Sequence, residues 1–187
     1  GAVTKFQGVY NSILDGEHIL HNKFGDFINL YAAFDVYFIN GEDVRNKLFV
    51  QTDVDEDPNN YRLPLLDKLV KAVKAEGFVK KEIVPIRIQS KTFYASTEIP
   101  EESRIFSACG KVLSATNDES FEYETDGLIF TPTSLPVGCN SISDKPANTK
   151  ITWDYSFKWK PAEYNTIDFL VSTVKSESGV DEIYNKF

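Results

Sequence analysis

Residues 27–40 read Phe27-Ile28-Asn29-Leu30-Tyr31-Ala32-Ala33-Phe34-Asp35-Val36-Tyr37-Phe38-Ile39-Asn40, "FINLYAAFDVYFIN", and Gly41 follows. Aromatic and β-branched residues dominate the run, and Asn-Gly is a dipeptide suited to the left-handed backbone of a tight turn. A strand with one wet face alternates apolar and polar side chains. This run is apolar almost throughout, which predicts a strand buried on both faces and closed by the turn at Asn40-Gly41.

Upstream, "VYNSILDGEHIL" (9–20) reads as two short strands, or as one strand broken at Asp15-Gly16, a turn-forming pair. Downstream lies an acidic loop, "QTDVDEDPNN", and then a helix over 61–77. Its Leu66, Leu69, Val70 and Val73 fall at helical spacing, with Lys68, Lys71 and Lys74 outside and Gly77 as the stop. "EIVPIRI" (82–88) is a strand leading into "QSKTFYAS". A second helix is expected over 99–116, with Pro100 at its start, acids in its first turn, and Ile105, Cys109, Val112 and Leu113 on one face. "DGLIFTP" (126–132), "ITWDYSFKWK" (151–160) and "TIDFLVSTV" (166–174) are read as strands, and 132–150 as a loop. The pattern is α+β, with mostly antiparallel strands and at least two helices.

An apolar fraction of 42% allows a sizeable core and argues against disorder, and 187 residues fit one domain or one lobe of a larger one. No run of 18 apolar residues occurs, so no membrane-spanning helix and no membrane partner is expected. The first residues lack the basic and apolar regions of a secretory signal, and the chain contains no Met. The expectation is a sequence that begins inside a longer reading frame or after processing. Cys109 and Cys139 stand far apart without a CxxC partner, which favours free thiols over a disulfide. The net charge of −8 argues against wholesale sheathing of nucleic acid but leaves room for a local basic cleft.

The common site motifs are missing. Asp53-x-Asp55-x-Asp57 starts like a calcium loop, but Pro58 stands where that loop requires Gly and Pro64 where it requires a bidentate Glu. His18 and His21 have no third ligand nearby and would point to opposite faces of a strand. There is no GxxxxGK[ST], GxGxxG, GxSxG or HExxH. Three features remain: Asp15-Gly16-Glu17, Asp126-Gly127 at the start of an apolar strand, and Lys158 with Lys160 in "YSFKWKP" (155–161). Strand alternation puts Lys158 and Lys160 on one face, with Phe157 and Trp159 turned to the core on the other. Each feature alone is most simply a turn or a solvated edge. As a set they supply acids for a divalent metal and ammonium groups for phosphate oxygens.

"ILDGEHI" (13–19), "YAAFDVYFINGEDVR" (31–45), "ETDGLIFTP" (124–132) and "FKWKPAEYNTIDFLV" (157–171) follow one another in the order and style of motifs III, IIIa, IV and V of the covalent nucleotidyltransferases. The Asp-Gly-Leu-Ile-Phe and Lys-Trp-Lys-Pro variants resemble mRNA capping enzymes, the RNA guanylyltransferases, with a lean toward those of large DNA viruses. The resemblance covers roughly residues 9–172 and implies an ATP-grasp-like nucleotidyltransferase domain, here partial, over 1–187. It implies a transfer of GMP from GTP, through a Lys–GMP intermediate, to the 5′-diphosphate end of RNA, with Mg²⁺ or Mn²⁺. By motif, Glu17 would contact the ribose or metal region, Phe34 would stack on guanine, and Asp126 would hold the metal. Lys158 and Lys160 would bind phosphate and act in catalysis. Asp15 and Asp35 would brace turns and strands.

The Lys-x-Asp-Gly of motif I, which carries the nucleophile, does not occur in the chain, and the OB-fold lobe with motif VI has no counterpart. The expectation is a fragment truncated at its N-terminus, inactive alone. Other capping modules, an RNA triphosphatase and a methyltransferase, would be partners. The compartment would be intracellular: the nucleus for a cellular protein, the virion or host cytoplasm for a viral one. The alternatives are an ATP-dependent polynucleotide ligase, disfavoured by Asp126 where ligases prefer Glu, and a non-catalytic domain of the same fold.

Overall fold

Strand β2 (Phe27–Ile39) is the axis on which the other elements are hung. The computed structural model describes residues 9–51, 55–73, 86–94, 104–117, 120–149, 151–168 and 174–182. β1 (Ile13–His21) pairs antiparallel along one edge of β2, while β3 (Glu42–Asp43) pairs antiparallel and β4 (Arg87–Ser90) parallel with it. Asn40 and Gly41 adopt φ of 51° and 83°, the left-handed pair that the sequence predicts for the β2–β3 turn. At the β1–β2 turn, the Asn22 Oδ1 accepts the backbone N–H of Phe24 and of Asp26, each at 2.9 Å.

β1 is one continuous strand, so Asp15-Gly16 is not a turn. The pair sits instead at an irregularity: Asp15 faces Asp35 but Gly16 faces Ala33, leaving Phe34 as an extra residue on β2. A Cβ on Gly16 would lie 2.7 Å from the Ala32 oxygen and 2.9 Å from the Ala33 Cα, so glycine permits the close approach there. A second shift leaves Tyr37 unpaired, between Leu14↔Val36 and Ile13↔Phe38.

These two bulges set the faces of β2. Tyr31, Ala33, Val36 and Ile39 all join one apolar cluster, although an unbroken pleat would space same-face residues by two. That cluster is closed by α1 (Arg62–Ala72), through Leu66, Leu69, Val70 and Val73. Pro64 is tolerated because it falls in the first helical turn, where N–H groups have no helical partner. The helix ends before Gly77: Val73 already has extended backbone, and Lys74 and Gly77 lie outside the described residues. On the opposite face, Ile28, Leu30 and Ala32 form a second cluster with Ile19 and Tyr123. The strand is covered on both faces, as its composition predicts.

Between β2 and α1 lies a buried ion pair. Arg62, fully enclosed, donates from Nε to Asp35 Oδ1 at 2.9 Å and from a terminal nitrogen to Oδ2 at 3.2 Å. The same guanidinium donates to the Lys47 and Leu135 carbonyls and packs over the Phe49 ring. Burial pushes the Asp35 carboxyl up, and Arg62 opposes that shift in part. Asp35 therefore braces a strand against a helix, and Asp15 likewise accepts the Tyr37 hydroxyl at 2.5 Å.

The second helix, α2, spans Arg104–Asn117, and the Pro100 start predicted for it lies outside the described residues. The remaining strands are shorter than expected. β5 (Leu128–Phe130) pairs antiparallel with β6 (Phe157–Trp159), and β7 (Val174–Lys175) with β8 (Asp181–Glu182). Residues 151–156 are not strand: the Trp153 indole N–H reaches back to the Cys139 carbonyl at 2.9 Å, and that contact bends the segment into a turn. Of 82–88, only the part from 86 onward is described, and of 166–174, residues 169–173 are not. Asp57 accepts the Asn59 backbone N–H at 2.9 Å and caps a short 3₁₀ turn, which accounts for one acid of the exposed loop; Asp53 lies outside the described residues. Cys109 and Cys139 are free thiols. The described residues thus make a small α+β fold of mainly antiparallel sheets with two α-helices.

Candidate functional site

The second face of the sheet does not close against a helix as the first does. It borders a cleft of about 810 Å³, walled by Ile19 and Phe34 on the sheet side, by Cys109 and Val112 of α2, and by the start of β5. Glu17, Phe34 and Asp126, three of the residues singled out from sequence, all line it.

Phe34 owes its position to the bulge. As the extra residue on β2, it is released from the pleat that alternates its neighbours, and such irregularities re-aim side chains. Lys91 continues the β4 ladder by donating its backbone N–H to the Ala33 carbonyl at 2.7 Å. Its ammonium then ion-pairs with Glu17 and lies 5.8 Å from the centroids of both the Phe34 and Tyr123 rings. Burial, with the Glu17 charge adding to it, pushes the Tyr123 hydroxyl above its ordinary value. An aromatic face, a cation and a carboxylate thus converge on one wall.

The other wall is set by a glycine. Gly127 has φ of 144°, and a Cβ there would lie 2.0 Å from the Trp159 oxygen. Without one, the backbone before β5 packs on the backbone after β6, and Asp126 meets Lys160 at 2.5 Å. The Lys160 ammonium holds the Asp126 carboxyl below the usual range, and the Lys158 charge acts in the same direction more weakly. Neither lysine is among the residues lining the cleft; Lys160 reaches it through Asp126. Lys158 stands opposite Ile129 in the ladder and is exposed.

The expectation that Phe157 and Trp159 anchor β6 in the core is overturned: they are 60% and 46% exposed. β6 pairs with β5 in a two-stranded ribbon, and among the described residues no third strand joins it. His18 hydrogen-bonds Asn29 at 2.8 Å, and His21 packs edge-on to Phe27. Among the described residues no three His, Cys, Asp or Glu side chains cluster in a way that would cage a metal. Asp126, the carboxylate that the resemblance gives to a metal, is a single acid and is engaged by Lys160. Lys91 and Tyr123 are the residues that sequence reading missed. Lys91 is 74 positions from Glu17, and no local pattern could pair them.

The chain is similar in sequence to mRNA-capping enzymes. That of Danio rerio is 25% identical over 171 residues, which covers 88% of this chain and 23% of the relative. That of Mus musculus is 24% identical with the same coverage. A probable mRNA-capping enzyme of Acanthamoeba polyphaga mimivirus is 37% identical over 67 residues, 36% of this chain and 5% of the relative. The chain spans 23% of the length of the two animal relatives. No protein-family model and no solved structure matches it. No helix among the described residues is long and apolar enough to cross a membrane.

Proposed function

We propose that this chain is the guanine-nucleotide-holding part of an mRNA guanylyltransferase with a nucleotidyltransferase fold. The observation that carries the reading is the Asp126–Lys160 contact across Gly127. It joins two segments, 124–132 and 157–171, whose resemblance to motifs IV and V was independent of any contact between them.

In the proposed reaction a lysine amine attacks the α-phosphorus of GTP. A P–N bond forms, the bond to the β-phosphate oxygen breaks, pyrophosphate leaves, and the amine gives up a proton. The terminal phosphate of a 5′-diphosphate RNA then attacks the same phosphorus, and the amine is restored as the P–N bond breaks. The attacking lysine belongs to a Lys-x-Asp-Gly motif, which these 187 residues do not contain. Their part is to hold and to neutralise.

Phe34 offers the stacking face for guanine, beside the Lys91–Glu17 pair. Lys160 and Lys158 neutralise charge developing on the phosphate oxygens. Asp126, kept ionised by Lys160, would hold Mg²⁺ or Mn²⁺, which when bound supplies Lewis-acid polarisation of the α-phosphate. An RNA triphosphatase and a methyltransferase are the modules this reaction would work beside. Its place would be intracellular: the nucleus, or, given the mimivirus relative, a virion or infected cytoplasm.

The test uses the gene product that contains this sequence, expressed at the length its reading frame dictates. Incubation with α-labelled GTP and Mg²⁺ should give an acid-labile, protein-bound label that 5′-diphosphate RNA removes. Label from ATP and not from GTP would overturn the assignment.

A further inference from the structure

We propose that the exposed aromatic surface of β6 and its flanks is a stacking platform for the single-stranded RNA behind the reacting 5′ end. The inference rests on the reading above, and it concerns where the acceptor strand lies as it leaves the cleft.

Four rings stand open to solvent within ten residues: Tyr155, Phe157, Trp159 and Tyr164. Tyr155 and Tyr164 line the cleft that also holds Asp126, so the surface is continuous with the site. Phe157 and Trp159 share one face of β6, roughly 7 Å apart by two strand rises. A rigid strand that presents rings at this interval suits a strand of unstacked bases, because every base has a π-face and stacking tolerates any sequence. β6 is paired only with β5 among the described residues, so no third strand adjoins the rings there.

A protein partner for the same surface would need no lysines alternating with the rings. The exposed Asp154 and Glu163 and the net charge of −8 oppose long-range attraction of a polyanion. Stacking therefore carries the binding. With Lys158 and Lys160 given to the nucleotide phosphates, the slope of log K against log salt should be shallower than about −1.

The experiment titrates the same gene product into a fluorescein-labelled oligouridylate 12-mer and reads anisotropy together with tryptophan quenching. Phe157→Ala and Trp159→Ala should each weaken binding about five- to hundredfold, the range that loss of one base–ring stack gives. Trp159→Phe, which keeps a ring, should stay within about threefold and guards against loss of fold. Unchanged affinity in both alanine variants overturns the platform. A salt slope steeper than about −4 also overturns it, since the strand would then be held by many phosphate contacts elsewhere. Self-association of the wild type in sedimentation, abolished by Trp159→Ala while RNA affinity is unchanged, overturns it in favour of contact between two copies. Guanylylation of the wild type is measured separately. Adduct without 12-mer binding removes the platform alone, and 12-mer binding without adduct removes the guanylyltransferase reading alone.

Discussion

Asp126 and Lys160 meet at 2.5 Å although 34 positions separate them, because the residue between Asp126 and β5 has no side chain. Gly127 is thus the hinge of the candidate site, and it gives the first prediction. Gly127→Ala places a Cβ where the Trp159 oxygen stands, on a backbone of positive φ. The start of the β5–β6 ladder must part, and stability should fall by about 2–4 kcal/mol, read from urea unfolding. Unfolding unchanged within about 0.5 kcal/mol would show that the two backbones do not pack as described.

Lys158→Ala and Lys160→Ala should each abolish formation of the labelled GTP adduct in the gene product. Both side chains are largely exposed, and a surface ion pair contributes at most about 1 kcal/mol, so the circular dichroism melt should barely move. Wild-type adduct yield in either variant would refute the phosphate role of that lysine.

Arg62→Met removes the counter-charge that is hydrogen-bonded to Asp35, leaving a buried carboxylate behind. The expected cost at neutral pH is about 3–5 kcal/mol. The Asp35 carboxyl is already raised by burial, and losing Arg62 raises it further. A raised carboxyl binds its proton more tightly in the folded state, so stability is present at low pH and lost as pH rises through the folded value. The variant should therefore be less unstable at pH 5 than at pH 7. Asp35→Asn combined with Arg62→Met should recover much of the loss, and a double-mutant cycle measures it.

Tyr37 donates its hydroxyl to Asp15, and burial, with that bond and the Asp15 charge, raises its pKa far above the ordinary value. Its folded state holds the phenolic proton more tightly than the unfolded chain does. Its contribution is complete below about pH 10 and is lost as pH rises beyond that. Denaturation followed from pH 9 to 11 should show a falling limb, and Tyr37→Phe should flatten it. An identical limb in the variant would assign the effect to other tyrosines.

The near-continuous apolar run of 27–40 and the Asn40-Gly41 turn carry their structural meaning locally, since burial on both faces and a left-handed dipeptide are properties of neighbouring residues. The apolar stripe of Leu66, Leu69, Val70 and Val73 is legible for the same reason. Asp15-Gly16 misleads because Asp-Gly suits a turn and a bulge equally well. Only the facing strand decides which forms, and here Ala32 and Ala33 lie close enough to demand glycine within a strand.

The candidate site divides in the same way. The residue types Glu17, Phe34, Asp126, Lys158 and Lys160, in that order along the chain, are determined by the sequence itself, and with them the likeness to capping enzymes. Tertiary structure alone decided that Lys91 closes on Glu17, that Lys160 rather than Lys158 meets Asp126, and that Phe157 and Trp159 face outward. Alternation along a strand says which side chains share a face. It does not say which face is covered, because cover comes from elements that the chain brings back from far away.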